Sequence, residues 1–467
     1  MTSLTAPSGP AVPGPAGLPV IGSMLDLRRD SLAAFLNAQR AHGDVVRLQA
    51  GPPGLRSVFY AAFAPEGVQQ ILASEAANFR KDHPLYEEVR QALGNGLLTS
   101  QDEDYLRQRR LVQPLFTRRR VDSYAAAVTT EAATVADRWR TAEGATVDVM
   151  SEMNRLALRT VARILFGTDV AAAVDAVDRC LPVINSYVVR RAYAPLTLPR
   201  DWPTPGNRKV RAAIDELTAV CDRIITERRA AADATGTGQP DPEAAGADLL
   251  SLLAAAGNEA DGSLDATEVR EQVLIFLLAG HETTATSMAF TLHLLARHPE
   301  QQERVREETG RVLGDRTATA ADLERLPELT MALKEAMRLF PPAPVISRRA
   351  VRATEIGGHP VPAGADVIVS PWVTHRHPGL WDDPERFDPQ RFTPEREAAR
   401  HRYAWFPFGG GPRACIGQHF SMLESVLALA TLLRAHDLEA VDHDVPVGAG
   451  ITLQPMGTAR VRLRPRG

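Results

Sequence analysis

Apolar residues recur at intervals of three and four along most of this chain, the spacing that gathers them on one face of a helix. Ser31 to Arg40 and Pro65 to Leu72 carry this spacing, and between them "GDVVRLQAG" reads as a strand. Helical spacing dominates from Tyr105 to Arg229. Asp265 with Glu268 forms a capping-box pattern that opens a long helix, which Pro299 closes. A further helix runs from about Pro327 to Phe340 and stops at Pro341 and Pro342. Short strands follow in "TEIGGHPVPAGADVIVS", where a Gly-Gly turn meets a β-branched run, and a last helix extends from Cys415 to about Leu433. The fold class is mainly α with a minor β portion.

Two stretches break the pattern. "APSGPAVPGPAGLPVIG" is too rich in proline and glycine for helix, so residues 1–22 are expected to be an extended leader and 23–467 a single domain. Residues 231–248, small and polar, are expected to form a mobile surface connection. No internal repeat is evident.

Composition narrows the function. The chain has 467 residues, 44% hydrophobic and 24% charged, with a net charge of −4. That balance fits a globular core and argues against a dedicated nucleic-acid binder, which carries a basic excess. The longest apolar runs, Val58 to Ala64 and Val273 to Ala279, fall short of the ~20 residues of a membrane span. With no signal pattern at the start, the expected location is cytoplasmic. Of 53 basic residues only Lys81, Lys209 and Lys334 are lysine. Cys180, Cys221 and Cys415 are too few and too scattered for a disulfide framework or a zinc site.

Cys415 stands in "FGGGPRACIG", directly before a helix whose N-terminal N–H groups favour a thiolate. Gly409, Gly410, Gly411 and Gly417 permit tight turns and close approach to a bulky planar group. Arg413 is placed to neutralise an anionic substituent of that group. A single thiolate with no companion ligands fits haem iron with one axial sulfur better than zinc or an iron–sulfur cluster. Upstream, "AGHETT" interrupts an apolar helix with Gly280, which costs about 1 kcal/mol relative to alanine, and with the acid–alcohol pair Glu282 and Thr283. A bland alternative is a kinked helix whose threonines bond back to its own carbonyls. Glu335 and Arg338, three apart, share a helix face and can pair.

Together Phe408, Gly411, Arg413, Cys415 and Gly417, with "AGHETT" and the Glu335/Arg338 spacing, resemble the signature motifs of the cytochrome P450 family, and the resemblance covers nearly the whole chain. It implies haem b as cofactor, with Cys415 its proximal ligand, and dioxygen as co-substrate. It also implies a long distal helix in which Gly280 makes room for oxygen while Glu282 and Thr283 deliver protons. Glu335 and Arg338 become supports of the cysteine loop, linked to a later arginine, for which Arg391 in "FDPQRF" is the best match and Arg386 in "DPERF" a nearby competitor. Arg109, Arg348 and Arg413 occupy positions resembling the propionate contacts. Tyr105 stands where the family usually has Trp or His, and a phenol can also donate to a carboxylate.

The same resemblance implies a monooxygenase that hydroxylates, epoxidises or further oxidises a lipophilic small molecule. The segments that vary in the family supply Leu85, Val89, Leu97, Ile184, Tyr187, Phe276, Leu277, Ala279, Val345, Ile346 and Ile451 as candidate pocket residues. Their apolar lean suits a terpenoid or polyketide-type product of bacterial secondary metabolism; a fatty acid or steroid is the alternative. Arg190, Arg191 and Arg200 lie in the expected lid and can meet a carboxylate or stay solvated. The chain ends soon after the last helix, so electrons are expected from separate proteins, a ferredoxin with its reductase. "RQRRLVQPLFTRRR" offers six arginines as a docking patch for such an acidic partner. The rivals are a peroxygenase or isomerase that needs no reductase, and outside the enzymes a haem sensor or carrier. Both gain little from an acid–alcohol pair.

Overall fold

The computed structural model describes residues 11–142, 144–167, 171–194, 197–235, 249–258 and 261–465. Its longer helices are α1 (Met24–His42), α2 (Pro84–Leu93), α3 (Asp102–Val112), α4 (Ala125–Thr141), α5 (Val149–Phe166), α6 (Ala171–Ala192), α7 (Pro205–Thr235), α8 (Ala266–Arg297), α9 (Pro299–Leu313), α10 (Pro327–Leu339) and α11 (Gln418–Ala435). The strands that matter here are β1 (Val45–Ala50), β2 (Ser57–Ala62), β3 (Phe79–Arg80), β4 (Ile346–Ala350), β5 (Asp366–Val369), β6 (Val447–Ala449) and β7 (Leu453–Pro455).

The capping box is realised: Asp265 accepts from the Glu268 N–H while Glu268 accepts from the Asp265 N–H, at 2.8 and 3.0 Å. That cap starts α8, the central element, which packs along α5 and also meets α10 and α11. By length and composition α8 could cross a membrane, which the search for unbroken apolar runs missed. Yet 78% of its apolar window is buried inside the molecule, so its partners are other helices. The helix predicted to begin at Ser31 begins earlier, at Met24, with non-helical backbone at Asp30.

A five-stranded sheet in the order β1-β2-β5-β4-β3 lies to one side. β2 and β5 run parallel, and the other neighbours run antiparallel. The leader is tied to this sheet: the Arg47 N–H donates to the Pro13 carbonyl at 2.8 Å, and Gly22 bridges Ala50. Of the connection expected over 231–248, residues up to Thr235 continue α7, and the rest lie outside the described residues.

Candidate functional site

α8, α5, the loop before α11, and β4 surround a largely apolar cavity of about 320 Å³. α8 contributes Phe276, Ala279, Gly280, Thr283, Thr284 and Ser287 because these positions repeat at three and four residues. α5 adds Val161, Ile164 and Leu165. The opposite wall is Pro407 to Gly409 with Arg413, Cys415, Ile416 and Gly417. Cys415 is exposed only in the sense that it faces this cavity.

The cysteine loop is built by backbone contacts. The Cys415 N–H donates to the Phe408 carbonyl at 2.9 Å. Gly411 has φ +63°, and a Cβ there would stand 1.9 Å from the Leu72 carbonyl oxygen. At Gly410 a Cβ would stand 2.4 Å from the Tyr403 ring. The two glycines are therefore required by packing behind the loop; Gly409 and Gly417 are the ones on the cavity wall. This corrects the expectation that the whole triplet serves close approach to a ligand. Gly280 likewise has a neighbour: a Cβ there would stand 3.2 Å from a Val161 methyl, so close packing of α5 on α8 also favours it.

Burial pushes the Cys415 thiol above its ordinary range, opposed by the Gly417 N–H and by the charges of Arg109 and Lys81. The loop's own N–H groups do not achieve the lowered value expected of a ligand thiolate. A metal cation bound to the sulfur would supply the missing stabilisation of the thiolate.

Beneath the loop, Arg338 donates to both carboxylate oxygens of Glu335 at 2.7 and 2.8 Å, with both side chains fully buried. Arg391 approaches Glu335 at 3.4 Å, and the Asp388 N–H donates to it at 2.9 Å. Arg386 turns its side chain outward to Asp388 and offers only its carbonyl to Arg338, so Arg391 is the third member. Arg338 also donates to the carbonyl of His375, whose Nε2 accepts the Phe406 N–H at 2.9 Å. Burial, then Arg338 and Arg376, hold the His375 pKa well below its ordinary value, so the imidazole is neutral and free to accept. A polar chain thus runs from α10 to the cysteine loop. His375 was not foreseen, because neither histidine of "VTHRHP" carries a spacing signal.

Arg348 and Arg413 line the cavity, and so do Lys81 and Tyr86, which the sequence reading missed. Lys81 donates to the Leu98 carbonyl at 3.0 Å and Arg413 to the Ser100 carbonyl at 2.6 Å. Among the described residues none of the three cations pairs with a carboxylate, and Arg413 Nη1 is buried without a partner. Burial, then Arg348 and Arg413, lower the Lys81 pKa well below its usual value; burial lowers that of Arg413 to about 10. Three basic side chains without carboxylate partners beside an apolar slot favour an anion there. Lys81 had one available signal, its rarity among arginines.

Tyr105 and Arg109, expected at the propionates, do not line the cavity. Tyr105 donates to the Pro412 carbonyl at 2.7 Å, and its ring lies 3.4 Å beneath the Arg413 guanidinium, so it holds Arg413 in place. Arg109 donates to the Ala414 carbonyl at 3.1 Å from below the loop. The apolar slot, the anion-seeking cations and the thiol on one wall fit a flat group with carboxylates and a thiophilic metal.

Thr283 faces the cavity with its hydroxyl donating to the Ala279 carbonyl at 2.8 Å, as the kinked-helix alternative described. Glu282, one position earlier, lies off the cavity wall. Asn185 Nδ2 donates to its Oε1 at 3.0 Å, and the Thr452 hydroxyl to its Oε2 at 2.9 Å.

Of the expected pocket residues, Phe276, Ala279 and Ile346 line the cavity. Val89, Leu97, Ile184, Tyr187 and Leu277 are buried in the core, and Leu85, Val345 and Ile451 are half-buried against it. For the helical ones, Leu85, Val89, Ile184, Tyr187 and Leu277, the helix face each occupies turns it away from the cavity wall. Tyr187 donates to Asn207, for example. Leu98, Phe116, Ile164, Leu165 and Leu249 stand on the wall instead. Arg191 and Arg200 both pair with Glu88. Of the six-arginine stretch, Arg107 pairs with Glu268, Arg110 with Asp261 and Arg118 with Glu324.

The cytochrome P450 family model matches residues 12–454. The chain is 39% identical to cyclooctatin synthase of Streptomyces melanosporofaciens, over 90% of this chain and 88% of that one. It is 35% identical to pentalenene oxygenase of Streptomyces avermitilis, covering 96% of each. Among solved structures, the haem domain of cytochrome P450DA superposes with a TM-score of 0.86 at 28% identity, covering 99% of each chain.

Proposed function

This chain belongs to the cytochrome P450 family, and we propose that it inserts oxygen into a polycyclic terpenoid of bacterial secondary metabolism. It is a monooxygenase that uses haem b and dioxygen and takes its electrons from redox partners. Cys415 is the residue that would hold the iron, and Lys81, Arg348 and Arg413 would hold the haem carboxylates. Bound haem supplies the activation of dioxygen, and the thiolate donates electron density that favours cleavage of the O–O bond.

The remaining work belongs to the chain. Phe276, Leu98, Phe116 and Leu249 present apolar surface to the substrate, exclude water and orient a hydrocarbon skeleton by shape. Thr283 holds its hydroxyl at the cavity wall, and Glu282 behind it takes protons from the solvent side and passes them inward. A ferredoxin with its reductase is the proposed electron source, although ion pairs within the chain already engage Arg107, Arg110 and Arg118 of the expected docking stretch. A cytoplasmic location accompanies this reading, supported by the burial of α8.

The observation that carries the substrate class is the identity to relatives named for oxidising pentalenene and cyclooctat-9-en-7-ol, combined with a wall that is mostly hydrocarbon. The first test is the carbon monoxide difference spectrum of the reduced protein beside Cys415→Ser. The strongly red-shifted Soret band of thiolate-ligated haem is expected in the parent and not in the variant. Titration with cyclic terpene hydrocarbons and their alcohols, read by the haem spectral shift, then tests the substrate. Shifts from fatty acids or steroids but not from terpenes would overturn that part.

A further inference from the structure

The acid that the proposed reaction needs is held by residues of two other elements. Both oxygens of Glu282 are engaged: Oε1 by the Asn185 amide of α6, Oε2 by the Thr452 hydroxyl in the turn between β6 and β7. Asn185 and Thr452 are themselves buried. Gln454 donates to the Thr452 hydroxyl at 2.7 Å, which leaves its proton directed at the carboxylate. The Asn185 Oδ1 is buried and has no hydrogen-bond partner.

Neither donor carries a charge. A cation beside a carboxylate favours its ionised form by its full charge, whereas an amide and a hydroxyl favour that form only through hydrogen bonds while fixing the oxygens in place without a counter-ion. A carboxylate has about four lone-pair sites. Two are taken here, so each oxygen keeps one for a proton or a water. The orphan Asn185 Oδ1 sits on the same amide, placed to anchor such a water.

We propose that Asn185 and Thr452 are positioning residues for proton delivery, a neutral clamp that holds Glu282 between the solvent side and the Thr283 wall. The inference rests on the reading of Glu282 as the proton-handling acid. Each proton that Glu282 releases toward the cavity is replaced by one from water at its clamped face, so the carboxylate returns to its starting state. α6 and the β6–β7 turn are separate elements, and each contributes one bond to this carboxylate, so a shift of either displaces the acid.

The test uses haem-loaded Asn185→Leu and Thr452→Val, with Thr452→Ser as the conservative rescue and Glu282→Gln as reference. All are expected to retain the thiolate–carbon monoxide band and to bind terpene within about twofold of the parent. In Asn185→Leu and Thr452→Val the share of reducing equivalents lost as hydrogen peroxide should rise several-fold, the solvent deuterium isotope effect should increase, and Thr452→Ser should restore both. The infrared carboxyl bands of Glu282, isolated by subtracting Glu282→Gln, should shift in the two clamp variants without turnover. If Glu282→Gln releases peroxide and the two clamp variants match the parent in peroxide, isotope effect and infrared bands, the clamp is overturned while the role of Glu282 stands. If Glu282→Gln matches the parent as well, the underlying reading fails and the clamp falls with it.

Discussion

Glu424 lies wholly inside α11, and neither carboxyl oxygen has a well-formed hydrogen bond. Burial raises its pKa well above the ordinary 4.5, and the Thr160 hydroxyl offsets this only in part. The folded chain therefore keeps this proton to higher pH than the unfolded chain does. Stability from this group is complete below pH 4.5 and is lost as pH rises toward the folded pKa. Glu424→Gln removes that loss, so its gain in Tm over the parent should grow from pH 5 to pH 8; a gain that is flat with pH would refute the assignment. Glu335 behaves oppositely on mutation, because it is paired. Removing one partner of a buried ion pair costs about 3–5 kcal/mol, so Glu335→Ala should lower Tm by many degrees and shed haem, as followed by thermal denaturation and Soret absorbance. At this scale the sequence was legible where chemistry demands a rare residue in a rare setting, as at Cys415. It assigned no role to Lys81 or His375, whose partners lie outside their own local segments.

Elements were legible through their periodicity. The capping box at Asp265 and the proline stops after α8 and α10 appear where local patterns put them, because caps and proline act within one turn. What periodicity could not settle is which face of α6 or α2 meets the cavity, and so most of the pocket residues assigned by segment lie elsewhere. The cysteine loop gives an element-scale prediction. Gly364, at φ +77°, has nothing within 4 Å of an added Cβ, so Gly364→Ala should cost only the ~1–2 kcal/mol of a left-handed alanine. Gly411→Ala must in addition displace the Leu72 backbone and should lose haem binding altogether. Equal haem retention in the two variants would show that the loop tolerates that shift.

The whole molecule gathers Lys81, Arg348 and Arg413, from three distant parts of the chain, around one apolar slot. Haem-free protein should suffer from this arrangement. Because burial lowers the Lys81 pKa, the unfolded chain binds that proton more tightly, and apo-protein stability should rise with pH toward 10.5. Lys81→Met should raise the Tm of the apo-protein at neutral pH, flatten that slope, and speed haem loss from the loaded form, measured by transfer to a haem-scavenging protein. Destabilisation of both forms would mean that Lys81 is merely structural.

By itself the sequence determined the helix-rich class, the ends of α8 and α10, and the local settings of Cys415 in its glycine loop and of Glu282 beside Thr283. Each of these is set by interactions within a few residues, or by chemistry that tolerates few residue types. Tertiary structure alone decided that Tyr105 holds Arg413 and that Gly410 and Gly411 accommodate Tyr403 and Leu72. It alone decided that Glu282 is held by Asn185 and Thr452. These depend on which surfaces of distant elements come within hydrogen-bonding or van der Waals distance, and packing of the core sets those distances.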